Sequence, residues 1–208
     1  MLAYSRYWSV VPSAESFRAA AQTMMTSVSL GLSIAWPLYR FSMRMPRASR
    51  WLPILDWLAI AGTLQVVLWP MRLSTHWTPI RVALLDSTLC AWALLIGALI
   101  SIGLRDSSPW ARTKWMAICI AVVLLAPIAD ITLIDLLGFG TATLTSAGIS
   151  ELLYWSPVSS AWVLAGHDSY GVTGPEWARV ALLLAAAILT WAAAVLWPTT
   201  TDPPQNNR

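Results

Sequence analysis

The stretch RVALLDSTLCAWALLIGALISIGLR, residues 81–105, decides the fold of this chain. Between its two terminal arginines, the side chains are apolar or small apart from one aspartate, Asp86. An α-helix rises 1.5 Å per residue, so about 20 such residues cross the ~30 Å hydrocarbon core of a bilayer. The stretch therefore predicts a membrane-spanning helix over residues 82–104.

Four other apolar windows follow basic residues in the same way and predict further spans. They cover residues 19–39, 51–71, 115–137 and 180–197. Residues 198–208 form a polar tail. The pattern predicts an all-α, polytopic transmembrane helical bundle of about five spans, forming one integral membrane domain over residues 1–208.

The composition excludes an ordinary soluble protein. Hydrophobic residues make up 57% of the chain and charged residues 11%, against roughly 45–50% and 25% in soluble domains. Of the 13 basic residues, all but Lys114 are arginines, and they bracket the apolar windows. This placement favours membrane topology over nucleic-acid binding. We therefore expect the lipid bilayer, and no nucleic acid, as a partner.

No motif in the sequence predicts catalysis, a metal site or a cofactor. The patterns H-E-x-x-H, G-x-S-x-G and C-x-x-C-H are absent. His76 and His167 lie in predicted loops, and two histidines far apart do not make a metal site. Cys90 and Cys119 are too few for a disulfide framework and are predicted to be buried free thiols. We expect no enzymatic activity, no catalytic or metal-binding residue and no bound cofactor.

A shorter apolar segment, residues 152–166, is interrupted by Ser156-Pro157 and by Ser159-Ser160. It is too short for an ordinary crossing, whereas broken backbone is tolerated at membrane depth where protein covers it. The segment predicts a re-entrant or interfacial hairpin over residues 146–167, on the outer side. A sixth span is the alternative.

Basic residues in the short loops predict the orientation, because Lys and Arg are retained on the cytoplasmic side. The loops at residues 40–50 and 105–114 contain more of them than the segments on the opposite side. This predicts an N-terminus outside, a C-terminus inside, and insertion in the cytoplasmic membrane. Tryptophans near the predicted span ends fit a belt at the headgroups, with Trp36, Trp51, Trp110, Trp115 and Trp197 inside and Trp69, Trp77, Trp155 and Trp177 outside.

Polar side chains recur at helical spacing within three spans and predict faces turned away from lipid. The first span carries Gln22, Thr26, Ser29 and Ser33, the second Asp56 and Thr63, and the third Asp86, Cys90, Gly97 and Ser101. Two interpretations stay open, namely packing against helices and other membrane subunits, or the lining of a wet substrate path. Because the carboxylates lie near interfaces, Arg50 is the expected partner of Asp56, and Arg81 that of Asp86.

The order of these elements resembles the later part of a type-2 ATP-binding-cassette exporter permease. The resemblance lies in the basic loop 41–50 and in the phrase YWSPVSSAW, residues 154–162, which precedes an alanine- and leucine-rich last helix. It implies a substrate path formed together with a separate cytosolic ATPase, which would contact Arg40, Arg44, Arg47 and Arg50. It also implies that Ser156 and Pro157 break the outer hairpin.

The chain departs from that family at its start, because residues 1–18 are too short to supply the family's first span and the amphipathic helix before it. A non-catalytic structural or accessory subunit of a larger membrane complex is the alternative function. Such a subunit would bind its partners through the polar and small-residue faces of its spans.

Overall fold

A computed structural model describes residues 14–43, 52–106, 108–137, 153–166 and 172–196 of the chain. These ranges contain helices and no strand. Four of the helices are long and apolar enough to cross a membrane. The chain is an all-α membrane protein, as the sequence predicts.

The described residues form seven α-helices in chain order. They are α1 (Ala14–Leu30), α2 (Trp36–Ser42), α3 (Leu52–Thr75), α4 (Pro79–Gly103), α5 (Ala111–Leu137), α6 (Pro157–Gly166) and α7 (Gly174–Leu196). The four candidate spans are α3, α4, the part Ala111–Ala129 of α5, and α7. Each overlaps one predicted window.

Helices α1 and α2 form one continuous rod, joined by a π-helical turn over Gly31–Ala35. Pro37 accounts for the turn, because proline lacks an N–H and its ring clashes with the carbonyl four residues earlier, that of Ser33. The chain widens there, and the Trp36 N–H donates to the Gly31 carbonyl, five residues back. The rod covers the first predicted span, 19–39.

Helix α4 is the centre of the bundle. In its apolar window 61% of the residues are buried, against 17% to 22% in the other three candidate spans. Two glycines allow large rings to approach its backbone. A Cβ atom on Gly97 would lie 3.1 Å from the Trp36 ring, and one on Gly103 would lie 2.8 Å from both Phe41 and Trp115.

Contacts at both ends of α4 show that α7 runs parallel to it. Arg81, near the start of α4, pairs with Glu176 near the start of α7, and Arg105, just after α4, donates to the carbonyl of Ala194 near the end of α7. We call the end with Arg81 and Glu176 the His76 end, and the opposite end the Asp106 end. His76, with φ of 57°, ends α3 in the left-handed conformation.

The short helix α6 does not cross the bundle. Its 10 residues extend about 15 Å, half of the hydrocarbon thickness. A sixth crossing between α5 and α7 would also make α7 antiparallel to α4. The described part of the predicted hairpin is therefore too short for a crossing, and the rest of the hairpin lies outside the described residues.

Cys90 and Cys119 are free thiols, Cys119 being buried and Cys90 half-buried. This confirms that they do not form a disulfide with each other.

Replacing Gly103 with alanine tests the packing of rings against α4. We expect Gly103→Ala to lower the free energy of unfolding by about 1–3 kcal/mol, because Phe41 and Trp115 must move away from the new methyl group. Gly62→Ala on α3 is the matched control, since a Cβ there meets no atom within 4 Å. Reversible unfolding in mixed detergent micelles measures both, and equal effects would contradict this packing.

Candidate functional site

Helix α6 inserts its N-terminal end into the middle of the bundle. Ser156, which precedes it, is fully buried, and its hydroxyl donates to the Val123 carbonyl, midway along α5, at 2.8 Å. Pro157 is buried as the first residue of the helix, where its missing N–H costs nothing. Ser156 and Pro157 thus form the break predicted for the hairpin, and they lie well inside the protein.

The other end of α6 packs against α1 near the His76 end. Gln22 donates from Nε2 to the carbonyl of Trp162 at 3.3 Å. The same amide fills the space beside Gly166, where a Cβ would lie 1.9 Å from Nε2. The Gln22 side chain therefore binds the backbone of α6 and covers one side of this helix.

A buried ion pair joins α4 to the start of α7. Arg81 Nη1 and Glu176 Oε1 are 3.2 Å apart, with side chains only 5% and 9% exposed. The other carboxylate oxygen of Glu176 accepts hydrogen bonds from the N–H of Thr173 at 2.7 Å and from its hydroxyl at 3.2 Å. Glu176 thus caps α7 at its third residue, in half of a capping box, and neutralises a buried guanidinium.

A small cavity of about 20 Å³ lies where α4, α6 and α7 meet. Thr88 and Trp92 line it from α4, Ser160 from α6, and Glu176 and Arg179 from α7. This volume holds about one water molecule. The Trp92 indole N–H is buried and has no hydrogen-bond partner among the described residues, so it is available to a small polar guest.

Tyr154 and Arg179 close the same cavity. The Arg179 guanidinium lies 4.2 Å from the centre of the Tyr154 ring, within the range of a cation–π contact. The Trp92 indole N–H can donate a hydrogen bond to a polar atom of a guest, and charged side chains of both signs line the cavity. In the described residues no three His, Cys, Asp or Glu side chains form a group that could hold a metal ion.

At the Asp106 end, the Asp56 carboxylate accepts hydrogen bonds from two side chains of α2, those of Trp36 and Arg40. Arg40 donates to it from Nε at 2.6 Å and from Nη2, and the Trp36 indole donates at 3.1 Å. Asp56 thus pairs with Arg40, because the rod α1–α2 brings Arg40 against the start of α3, and its predicted pairing with Arg50 lies outside the described residues. Arg44, Arg47 and Arg50, predicted to contact an ATPase, lie outside the described residues.

The predicted pairing of Arg81 with Asp86 is wrong. Five residues along a helix turn the side chain by about 140°, so Arg81 faces α7 while Asp86 faces α3. Asp86 accepts from the Gln65 amide and from the Cys90 thiol, the latter at 3.7 Å. Gln65 in turn accepts from the Trp69 indole at 2.6 Å.

The polar faces predicted within the spans differ in their placement. Ser29, Ser33 and Ser101 are buried in the bundle, whereas Gln22 and Thr26 are half-buried at its edge. Thr63, predicted to lie on such a face, is exposed in the single chain. The Thr63 hydroxyl donates to the Ala59 carbonyl of its own helix. Asp56, predicted on the same face, contacts α2 through its side chain.

Several tryptophans bind helices together instead of forming a belt. The indole of Trp57 donates to the Cys90 carbonyl at 2.9 Å, and that of Trp191 to the Leu94 carbonyl at 3.0 Å. Trp77, between α3 and α4 at the His76 end, is only 4% exposed and packs inside the protein. Trp110, by contrast, is 73% exposed, as an interfacial residue would be.

The loop between α4 and α5 is held by Asp106. Its carboxylate accepts from the Ser108 N–H at 3.0 Å and from the Trp115 indole at 3.0 Å. The Ser108 backbone bond, followed by the Trp115 bond, lowers the pKa of Asp106 below its ordinary value. As the pH falls, the Asp106 carboxylate therefore stays charged at pH values where an ordinary aspartate begins to protonate.

Sequence reasoning missed the residues that line the cavity, namely Trp92, Tyr154, Glu176 and Arg179. One local signal was present, because Thr173-Gly-Pro-Glu176 has the spacing of a capping box ahead of an apolar run. The partner of Glu176, Arg81, lies in a different predicted span and has no sequence signal.

Comparisons of the chain with protein-family models, with curated proteins and with solved structures found no match.

Removing one partner of the Arg81–Glu176 pair tests its role. We expect Glu176→Leu to lower the free energy of unfolding by about 3 kcal/mol, because it removes a carboxylate that pairs with a buried guanidinium. The double variant Arg81→Met/Glu176→Leu should recover most of the loss. Lys114→Met, which removes the exposed pair with Asp106, should cost less than about 1 kcal/mol. A Glu176→Leu loss no larger than that would contradict the assignment.

Proposed function

We propose that this membrane-embedded protein is the membrane subunit of a transport complex, in which it forms part of a substrate path with a separate ATPase. The observation that carries the proposal is helix α6. It begins inside the bundle, at the level of Val123, and returns to the His76 end. Non-helical backbone at membrane depth, as at the start of α6, is tolerated where protein covers it or where it lines a cavity.

Transporters use short helices of this kind because a helix that starts at membrane depth directs its N–H groups inwards. The cavity beside α6 supports the proposal, since it brings Trp92, Ser160 and Arg179 to one place. The cavity that the described residues enclose admits only about one water molecule. The path would therefore be closed in this conformation and would open by movement of α6 or α7.

The Asp106 end is the proposed side of the ATPase. Arg40 is fixed there by Asp56, and the sequence that follows contains Arg44, Arg47 and Arg50. In this proposal the Asp106 end faces the cytoplasm and the His76 end faces outwards, so that the N-terminus is outside the cytoplasmic membrane and the C-terminus inside. The excess of basic residues in the loops at the Asp106 end supports this orientation.

Cysteine labelling tests the orientation. His76 and Ser108 are exposed residues at opposite ends of the bundle. A membrane-impermeant maleimide added to intact cells should label His76→Cys and leave Ser108→Cys unlabelled until the cells are opened. The unmodified chain is the control for Cys90 and Cys119. Labelling of Ser108→Cys alone in intact cells would reverse the proposed orientation.

Charge reversal in the basic loop tests the ATPase contact. Purification in mild detergent should recover a nucleotide-hydrolysing subunit with the unmodified chain and lose it with Arg44→Glu/Arg47→Glu. The control Arg44→Lys/Arg47→Lys keeps the charge and should keep the ATPase. Labelling at Ser108→Cys in the same background shows whether the spans remain correctly inserted.

A second candidate function, a non-catalytic accessory subunit, is favoured by the closed packing around α4. In that case no ATPase accompanies the unmodified chain, and other membrane subunits remain bound to both double variants. The two functions thus differ in the composition of one purified complex.

A further inference from the structure

We propose that a groove between α2 and α5 at the Asp106 end binds one anionic phospholipid, with an acyl chain between the helices and the phosphate on Arg112. The groove has a volume of about 430 Å³, which lies in the range of ligand-binding pockets. The inference is independent of the transport function and of the orientation proposed above.

The walls of the groove are apolar along its length. Leu38 lines it from α2, and Met116 and Ile120 line it from α5. The groove stays open because Phe41 turns its ring inwards against Gly103 and is 5% exposed, while α5 presents the small side chain of Ala117. A free phosphate ion would leave these walls uncovered, whereas a lipid covers them with its chain.

The dimensions of the groove fit an acyl chain better than a protein helix. From Thr113 to Ile120 it follows α5 for seven residues, or about 10 Å. A transmembrane helix is about 10–12 Å across and packs along several turns. A lipid chain enters such a short cleft from the side and leaves its headgroup at the mouth.

Arg112 supplies the charge at the mouth of the groove. The other described cations at this end are committed, since Arg40 pairs with Asp56, Lys114 with Asp106, and Arg105 donates to Ala194. Arg112 lines the groove, is exposed, and forms no hydrogen bond or ion pair with a described residue. Its guanidinium therefore matches the negative phosphate of a lipid in geometry and in charge.

The depth of Arg112 also matches a headgroup. Trp110, two residues earlier, exposes 73% of its surface, and exposed indoles lie at the headgroup level of membranes. The hydroxyl group of Thr113 lines the groove beside Arg112 and offers a further donor to a phosphate oxygen. The groove thus fits a ligand that has an apolar chain of limited length and one phosphate group.

Lipid retention measured by native mass spectrometry tests the proposal. The purified protein, released from micelles that contain equal amounts of phosphatidylglycerol and phosphatidylcholine, should retain one phosphatidylglycerol in preference. Arg112→Gln should reduce that preference about fivefold, the effect of one basic residue near an anionic headgroup. Lys114→Gln removes a neighbouring exposed cation that does not line the groove and should leave the preference within twofold.

Filling the groove provides a second, independent measurement. Ala117→Trp should lower the retention of both lipids, because the indole occupies the space of the acyl chain. Ala121→Trp places the same ring one turn further along α5, on an exposed residue outside the groove, and should retain lipid normally. Helix content by circular dichroism checks that all four variants are folded.

Two outcomes overturn the proposal. An unchanged preference for phosphatidylglycerol in Arg112→Gln would mean that Arg112 does not hold the phosphate. Equal retention by Ala117→Trp and Ala121→Trp would mean that the lipid does not enter the groove, even if Arg112 contributes to a surface contact. A reduced preference in Arg112→Gln together with reduced retention in Ala117→Trp supports the site.

Discussion

The close approach of aromatic rings to the backbone of α4 is the constraint on which the rest of the fold depends. In lipid there is no hydrophobic force between helices, so association relies on packing and on polar contacts. Gly97 admits the ring of Trp36, and Gly103 admits Phe41 and Trp115. These contacts hold two other helices, α2 and α5, against α4 and fix the level at which each one lies.

Polar contacts then determine which helices are neighbours. The carbonyls of Cys90 and Leu94 on α4 each accept an indole N–H, one from α3 and one from α7. The Arg81–Glu176 pair and the bond from Arg105 to Ala194 hold α4 and α7 parallel at both ends. Beside those two helices, α6 extends over about half of the hydrocarbon thickness.

The sequence predicts the spans well because each depends on local composition alone. Residues 82–104 read as a span without reference to any other part of the chain, and Ser156-Pro157 marks a break that the structure contains. The pairing of charges was predicted poorly. Asp56 binds Arg40, and Arg81 binds Glu176, 95 residues away, instead of Asp86, because helix rotation and neighbour choice are set by packing. For the same reason the cavity with Trp92 and Arg179 could not be predicted from spacing within single helices.

The π-helical turn at Gly31–Ala35 has a consequence for changes in chain length. A π turn accommodates one residue more than the α-helical register, so the side chains after it are rotated relative to those before it. The face that carries Gln22, Thr26, Ser29 and Ser33 therefore does not continue into α2 at the same spacing. Loss of one residue within the turn would remove the extra residue and leave Trp36 and Arg40 directed at Gly97 and Asp56, but it would place the Pro37 ring against a carbonyl of an ordinary α-helical turn. Loss of one residue between the turn and Arg40 would instead rotate Arg40 away from Asp56.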